Sequence, residues 1–390
     1  MRILMLNNEY PPLGGGTGTV NRAIVRELAQ APELTIDLIT SALGRAPEQA
    51  EEAGRVRVFK VPVNNQNLHH SSNRELLAYA ARALLLAARL HRAQPYDLCM
   101  AWSAVPAGGV ALALRRRLGL RYIVRVCGPD IPGFERRYGA LYPVLTPAIR
   151  AIWRGAEVVV AKCAREAEMI GAVDARVPVM LVPNGVDLAA FRPAPIAEGG
   201  PLRLICVARL IERKGQPQLI EAIARLATEG LDVRAELVGT GDAQASYAAL
   251  ARRLGVAEQV SFAGYVPREA LAERYAAAHA FVLPSYNEGM SVATLEALAA
   301  GLPLVVTRTG GTAELVDEPA NGLTFGWGDV DALTAHLRRL AADRELARRM
   351  GAASRQRAER FGWGDAARGY ARLFERVARR VPTALEKLGI

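Results

Sequence analysis

Ala280-Phe281-Val282-Leu283-Pro284-Ser285-Tyr286-Asn287-Glu288-Gly289-Met290-Ser291-Val292-Ala293-Thr294-Leu295-Glu296 reads as a strand, a loop and a helix in immediate succession. The apolar run is strand-length and stops at a proline. Ser291 is a good helix N-cap, and the apolar positions after it follow a helical period. A strand that turns at once into a helix is the repeating half of a parallel α/β unit. At the helix start, the N–H groups of Gly289, Met290 and Ser291 would lack intrahelical partners and meet the positive end of the helix dipole. That combination binds phosphate without a metal. Glu288 just before the helix and Glu296 inside it are poor phosphate ligands but good acceptors for sugar hydroxyls.

The same alternation runs outward in both directions. Strands are expected at Arg2–Asn8, Thr35–Thr40, Val56–Val61, Asp97–Trp102, Tyr122–Cys127, Glu157–Ala161 and Val179–Val182. Helices fit between them at Thr19–Gln30, Asn73–Ala93, Pro106–Leu118 and Pro143–Arg154. The pattern pauses at Phe191–Pro201, where three prolines and two glycines make a natural linker. It restarts with strands at Leu202–Ala208, Val233–Val238, Val260–Gly264 and Pro303–Thr307, and helical stretches follow to the end. The expected architecture is α/β, with two Rossmann-like doubly wound domains facing a deep interdomain cleft. The expected divisions are residues 1–195, residues 196–365, and a C-terminal helix over 366–390 that crosses back to the first domain. A chain of 390 residues, half of them hydrophobic, can fill two such cores.

Val207-Ala208-Arg209-Leu210-Ile211-Glu212-Arg213-Lys214-Gly215 follows the first strand of the second domain. Arg209 and Lys214 would converge on one diphosphate, the first with a fork of donors and the second as a point charge. They would neutralise a leaving nucleotide diphosphate, a task that a divalent ion performs elsewhere.

The R-x4-K and E-x7-E pair, in this order, resembles the family 4 retaining glycosyltransferases (group 1, GT-B fold). Pro183-Asn184-Gly185-Val186-Asp187, Leu237-Val238-Gly239-Thr240-Gly241, Phe262-Ala263-Gly264-Tyr265-Val266 and Thr309-Gly310-Gly311-Thr312-Ala313-Glu314 match as well. The resemblance covers nearly the whole chain and is denser in the second half. It implies a retaining transfer from a nucleotide-diphosphate sugar to a hydroxyl of a glycan, lipid-linked or small-molecule acceptor, with no metal and no further cofactor. Arg209, Lys214 and Glu288 would be catalytic. Gly15, Gly16, Gly239, Val266, Gly289, Met290, Ser291 and Glu296 would hold the donor, Glu296 through its ribose. A nucleotide-sugar epimerase or hydrolase of the same fold, or a non-catalytic nucleotide-sugar-binding protein, is the alternative. A dinucleotide oxidoreductase fits worse, because Gly14-Gly15-Gly16-Thr17-Gly18-Thr19 places Thr19 where the third glycine of G-x-G-x-x-G belongs.

In Val126-Cys127-Gly128-Pro129-Asp130, Asp130 is the acceptor-side candidate, with capping of its own turn as the other reading. Family members carry a histidine near this point. Cys127 and Gly128 stand here instead, so no general base is assigned. Asp329-Val330-Asp331 looks like a metal-binding D-x-D, but its place at a helix start favours N-capping. The adjacent His69 and His70 and the other three histidines make no metal set.

Net charge is +10, and residues 1–195 carry 24 basic against 16 acidic side chains. The basic first half suits an anionic partner or reflects arginine-rich composition. Residues 73–92 are expected to form a helix with leucine on one side and arginine on the other, and Arg136, Arg137, Tyr138, Tyr142, Trp153 and Arg154 lie nearby in sequence. An ordinary crossover helix and a peripheral helix on an anionic membrane are both compatible with that pattern. No signal segment or run of about 18 apolar residues occurs, and the four cysteines read as buried thiols. The expected location is the cytoplasm or the inner face of the cell membrane, with no nucleic-acid partner.

Overall fold

The computed structural model describes residues 1–65, 71–195 and 199–379. The chain divides into two compact units. One comprises Met1–Asn184 and the segment from Trp363 onward; the other is Gly185–Gly362. The division falls at Asn184/Gly185, earlier than the proline-rich run suggested. Phe191 is buried in the second unit's core, and the Val186 N–H donates to the Phe361 carbonyl, so residues 185–191 already belong to that body. Residues 196–198 and 380–390, like His69 and His70, lie outside the described residues.

The first unit holds an eight-stranded sheet. Its strands are β1 (Arg2–Leu6), β2 (Thr35–Ala42), β3 (Glu48–Glu52), β4 (Val56–Pro62), β5 (Leu98–Trp102), β6 (Tyr122–Arg125), β7 (Val158–Ala161) and β8 (Val179–Leu181), in the order β3-β4-β2-β1-β5-β6-β7-β8. All neighbours are parallel except β3, which pairs antiparallel with β4. Helices cover both faces, so the central strands are almost wholly apolar. Helices Asn73–Ala93, Gly109–Leu118 and Tyr142–Gly155 share one core on one face. On the other face Gly16–Leu28 packs against Trp363–Ala378, which buries Tyr370, Leu373 and Phe374 completely. The Arg121 guanidinium donates to the Val377 and Ala378 carbonyls and ties down the end of that last helix.

The second unit holds six parallel strands: β9 (Leu202–Val207), β10 (Val233–Val238), β11 (Val260–Gly264), β12 (Ala280–Leu283), β13 (Leu304–Thr307) and β14 (Gly322–Phe325). Their order is β11-β10-β9-β12-β13-β14. The winding reverses between β9 and β12, which lie side by side with Ala280 opposite Leu204. Loops leave such a switch point in opposite directions and open a crevice at the carboxyl ends of the two strands. The Arg209–Lys214 segment follows β9, and the Glu288 loop follows β12. No described helix is long and apolar enough to cross a membrane.

Candidate functional site

The β9 and β12 loops are tied together by one bond between backbones and one from a side chain to a backbone carbonyl. The Tyr286 N–H donates to the Arg213 carbonyl at 2.7 Å, and Arg213 Nη1 donates to the Asn287 carbonyl at 3.1 Å. Gly215, at φ +69°, lies where a Cβ would sit 2.0 Å from the Pro284 carbonyl oxygen. Any side chain there would push the two loops apart. Gly239 after β10 and Gly311 after β13 make comparable approaches, to the Ala208 and Gly289 carbonyl oxygens. Three glycines thus press four loops together at the carboxyl end of the sheet.

Within this cluster, Lys214 Nζ donates to Glu288 Oε1 in an ion pair. Both side chains are largely buried, at 13% and 15% exposure. Burial pushes the Glu288 carboxyl up, but the Lys214 and Arg213 charges prevail and hold it below the usual range. Burial also lowers the Lys214 ammonium, aided by Arg213 and Arg209 and opposed by Glu288. The two shifts pull against each other. An ammonium donating to a lowered carboxyl is a charge-assisted hydrogen bond. One ammonium hydrogen is used by Glu288, leaving the others for a ligand. Arg209 is exposed, near enough for its charge to act on Lys214, and its carbonyl accepts from Gln216 Nε2 at 3.0 Å. The structure therefore brings Arg209, Lys214 and Glu288 together.

Ser291 caps the helix Val292–Ala299 as expected, its hydroxyl accepting from the Thr294 N–H at 3.3 Å. A cavity lined by Glu288, Gly289, Ser291, Thr309, Gly311 and Thr312 opens beside that helix start. Met290 is buried in the second unit's core. Glu296 lies one turn further along and is 3% exposed. Its Oε1 accepts from Arg268 Nη1 at 2.9 Å and its Oε2 from the Tyr275 hydroxyl at 3.1 Å. Burial raises its pKa despite Arg268 and Tyr275. Val266 follows β11 and packs partly against the core, while the Gly239 N–H donates to the Gly264 carbonyl at 2.8 Å.

In the first unit, Gly15 caps the helix Gly16–Leu28 without a side-chain bond, so the helix begins before the expected Thr19. A Cβ added at Gly15 or Gly16 would meet nothing within 4 Å. Packing inside the unit gives no reason for glycine at these two positions.

Asp130 is buried, and both its oxygens are committed. Oδ2 accepts from the Ala104 N–H and Oδ1 from the Cys127 N–H, each at 2.7 Å. Burial raises its pKa, although the backbone bonds and Lys162 oppose that shift. The turn-holding reading of Asp130 is the one its contacts describe. Through the Ala104 N–H it holds the turn after β5, in which the preceding residue, Ser103, stands at φ +117° and was given no role by sequence reasoning. Such a conformation costs about 1–3 kcal/mol and persists only where surroundings enforce it.

Tyr142 and Trp153, grouped above with the basic surface, are buried instead. Cys99, Cys163 and Cys206 are buried as expected, whereas Cys127 is half-buried. Burial still pushes the Cys127 thiol up to about 12. Asp329 caps its helix through the Ala332 N–H. Arg213, Gly215, Arg268 and Tyr275 are the site residues that sequence reasoning missed. Gly215 and Arg213 stood within the quoted motif, but nothing local marked Arg268.

Two family models match the chain: "Glycosyl transferase 4-like domain" over residues 15–185 and "Glycosyl transferases group 1" over residues 189–357. A GDP-mannose-dependent alpha-(1-6)-phosphatidylinositol monomannoside mannosyltransferase of Mycolicibacterium smegmatis is 31% identical over 375 residues, covering 90% of this chain and 92% of that protein. Among solved structures, a sucrose-phosphate synthase from Thermosynechococcus elongatus superposes with a TM-score of 0.86 at 22% identity. It covers 97% of this chain and 100% of its own. An Anabaena protein, HepE, in complex with UDP-glucose reaches 0.76 at 19% identity, over 96% and 99% of the two chains.

Proposed function

Since the chain belongs to the family 4 (group 1) glycosyltransferases, of GT-B fold, we propose that it moves a hexose from a nucleoside-diphosphate sugar to an acceptor hydroxyl with retention of configuration and without a metal. The observation that carries this is the Lys214–Glu288 ion pair at the β9/β12 switch point, with the Arg209 charge beside it.

The diphosphate lies against Arg209, the remaining Lys214 hydrogens and the N–H groups of Gly289 to Ser291. As the glycosidic bond breaks, negative charge grows on the leaving phosphate. Pre-placed cations and amides stabilise that charge more than they stabilise the ground state. Lys214 orients Glu288 to accept hydroxyls of the transferred sugar, which becomes oxocarbenium-like. Glu296, oriented by Arg268 and Tyr275, takes the ribose hydroxyls with its remaining lone pairs. The Gly264–Val266 backbone meets the base, and Gly239 keeps the adjoining loop close. Gly15 and Gly16, where an added Cβ would meet nothing within 4 Å, keep the donor-binding role that the family resemblance implies. The acceptor hydroxyl attacks on the face the nucleotide leaves, and the departing phosphate takes its proton. That route needs no side-chain base.

The named activity of the mycolicibacterial relative supports a lipid-linked acceptor and a guanosine donor, while the Anabaena complex supports a uridine donor. Incubation of the protein in EDTA with GDP-mannose or UDP-glucose and a membrane lipid extract tests the reading. Transfer of label, with the product anomer matching the donor's by NMR, is expected. An inverted anomer, or release of free sugar with no acceptor product, contradicts it.

A further inference from the structure

Helix Asn73–Ala93 faces the core of the first unit through Tyr79, Ala83 and Ala87. At 3.6 residues per turn, Arg74, Leu77, Arg82, Leu85, Arg89 and Arg92 fall on the opposite side, within an arc of about 140°. Leu77 is 72% exposed and Leu85 73%. A single leucine on a surface is ordinary. Here two stand two turns apart on the solvent face, set among four arginines, so the expected separation of leucine from arginine on opposite sides does not hold for them.

The neighbouring helices extend this surface. Gly109–Leu118 and Tyr142–Gly155 lie over the same core and contain no acidic residue, and Val144 is 75% exposed. The single acid of Asn73–Ala93, Glu75, is buried in a capping box with Ser72. Arg115 pairs with Glu157, and Arg150 and Arg154 with Asp174. Among the described residues, no ion pair engages Arg74, Arg82, Arg89, Arg92, Arg116 or Arg117. The following helix, Ala164–Val173, returns to mixed charge, with Arg165 paired to Glu168. Helix-dipole complementarity accounts for arginines in a last turn, such as Arg92, Arg116 and Arg117. It does not account for Arg74 and Arg82, or for Leu77 and Leu85 on the same face.

We propose that this face of the first unit docks on an anionic phospholipid surface, with Leu77 and Leu85 entering the acyl–headgroup boundary and the arginines meeting lipid phosphates. The chemistry is that of an interfacial amphipathic helix, whose affinity adds apolar insertion to charge attraction. Arginine suits the task because its aliphatic stem lies along apolar surface while its head reaches phosphate. Nucleic acid would use the arginines and leave the leucines unexplained. The purpose of docking rests on the reading of the acceptor as lipid-linked; the docking itself does not.

Flotation with vesicles of phosphatidylglycerol and phosphatidylcholine, against vesicles of phosphatidylcholine alone, tests this on the full chain. Wild-type protein is expected to float with the anionic vesicles at low salt and not with the neutral ones. The double variant Leu77→Glu/Leu85→Glu and the triple variant Arg74→Gln/Arg82→Gln/Arg89→Gln should each lose about tenfold or more of that binding. Both should keep the wild-type melting temperature and the wild-type affinity for the nucleoside diphosphate by calorimetry. Failure of the wild type to bind anionic vesicles, equal binding to neutral ones, or undiminished binding by both variants overturns the proposal. So does retention on RNA without vesicle binding. Intact vesicle binding with no sugar transfer would sink only the catalytic reading.

Discussion

Glu288 and Glu296 sit eight positions apart on one loop–helix unit, yet their environments push them in opposite directions. Burial raises both, but Glu288 has Lys214 and Arg213 against it and ends lowered, while Glu296 ends raised. A carboxyl whose folded pKa lies above its unfolded value protonates more readily in the folded state. Its contribution is present at low pH and is lost as pH rises through the folded pKa. Replacing Glu296 by Gln removes that slope. The unfolding free energy of Glu296→Gln relative to wild type should therefore shift in the variant's favour between about pH 4 and pH 8. Denaturant titrations at both ends of the range check this, and a constant difference would contradict it. Sequence reading reached both carboxylates and both cations. It missed Arg268 and Tyr275, which lie 28 and 21 positions from Glu296 and meet it only after the chain folds.

At the scale of elements, buried strands were legible because parallel strands covered on both faces must be continuously apolar. The antiparallel strand Glu48–Glu52 escaped because its sequence is EQAEE. It exists through pairing with its neighbour, including Lys60 against Glu48, and carries no apolar alternation of its own. The strand Gly322–Phe325 and the helix Ala164–Val173 were too short and too mixed to stand out. The glycine-bearing loops were legible as motifs, but only coordinates separate two kinds of glycine. Gly239 is required by a carbonyl 2.1 Å from where its Cβ would lie, at φ +134°, whereas Gly15 meets nothing. Gly239→Ala should cost about 2 kcal/mol or more of stability. Gly15→Ala should melt like wild type and lose sugar transfer. Melting curves and transfer rates on the two variants check the pair, and a stability loss confined to Gly15→Ala would contradict the argument.

At the scale of the molecule, the chain closes its first unit with its last described helix. The sequence hinted at this return, but its extent rests on packing that no local pattern reveals: Tyr370 beside Trp102, and Phe374 fully buried. Phe374→Ala should cost about 3–5 kcal/mol of the first unit's stability. Calorimetry with the nucleoside diphosphate should still find the site at the β9/β12 switch point intact. Loss of nucleotide affinity without loss of stability would contradict that division of labour.

The account stands on cationic side chains and a helix start doing the work of a metal at the diphosphate. Its most direct test is kcat/KM for sugar transfer in EDTA, for wild type, Arg209→Ala and Lys214→Ala. Undiminished wild-type transfer is predicted, with each variant reduced about a hundredfold or more, equivalent to about 3 kcal/mol of transition-state stabilisation. Abolition of wild-type transfer by EDTA, or near-normal rates in both variants, would contradict it.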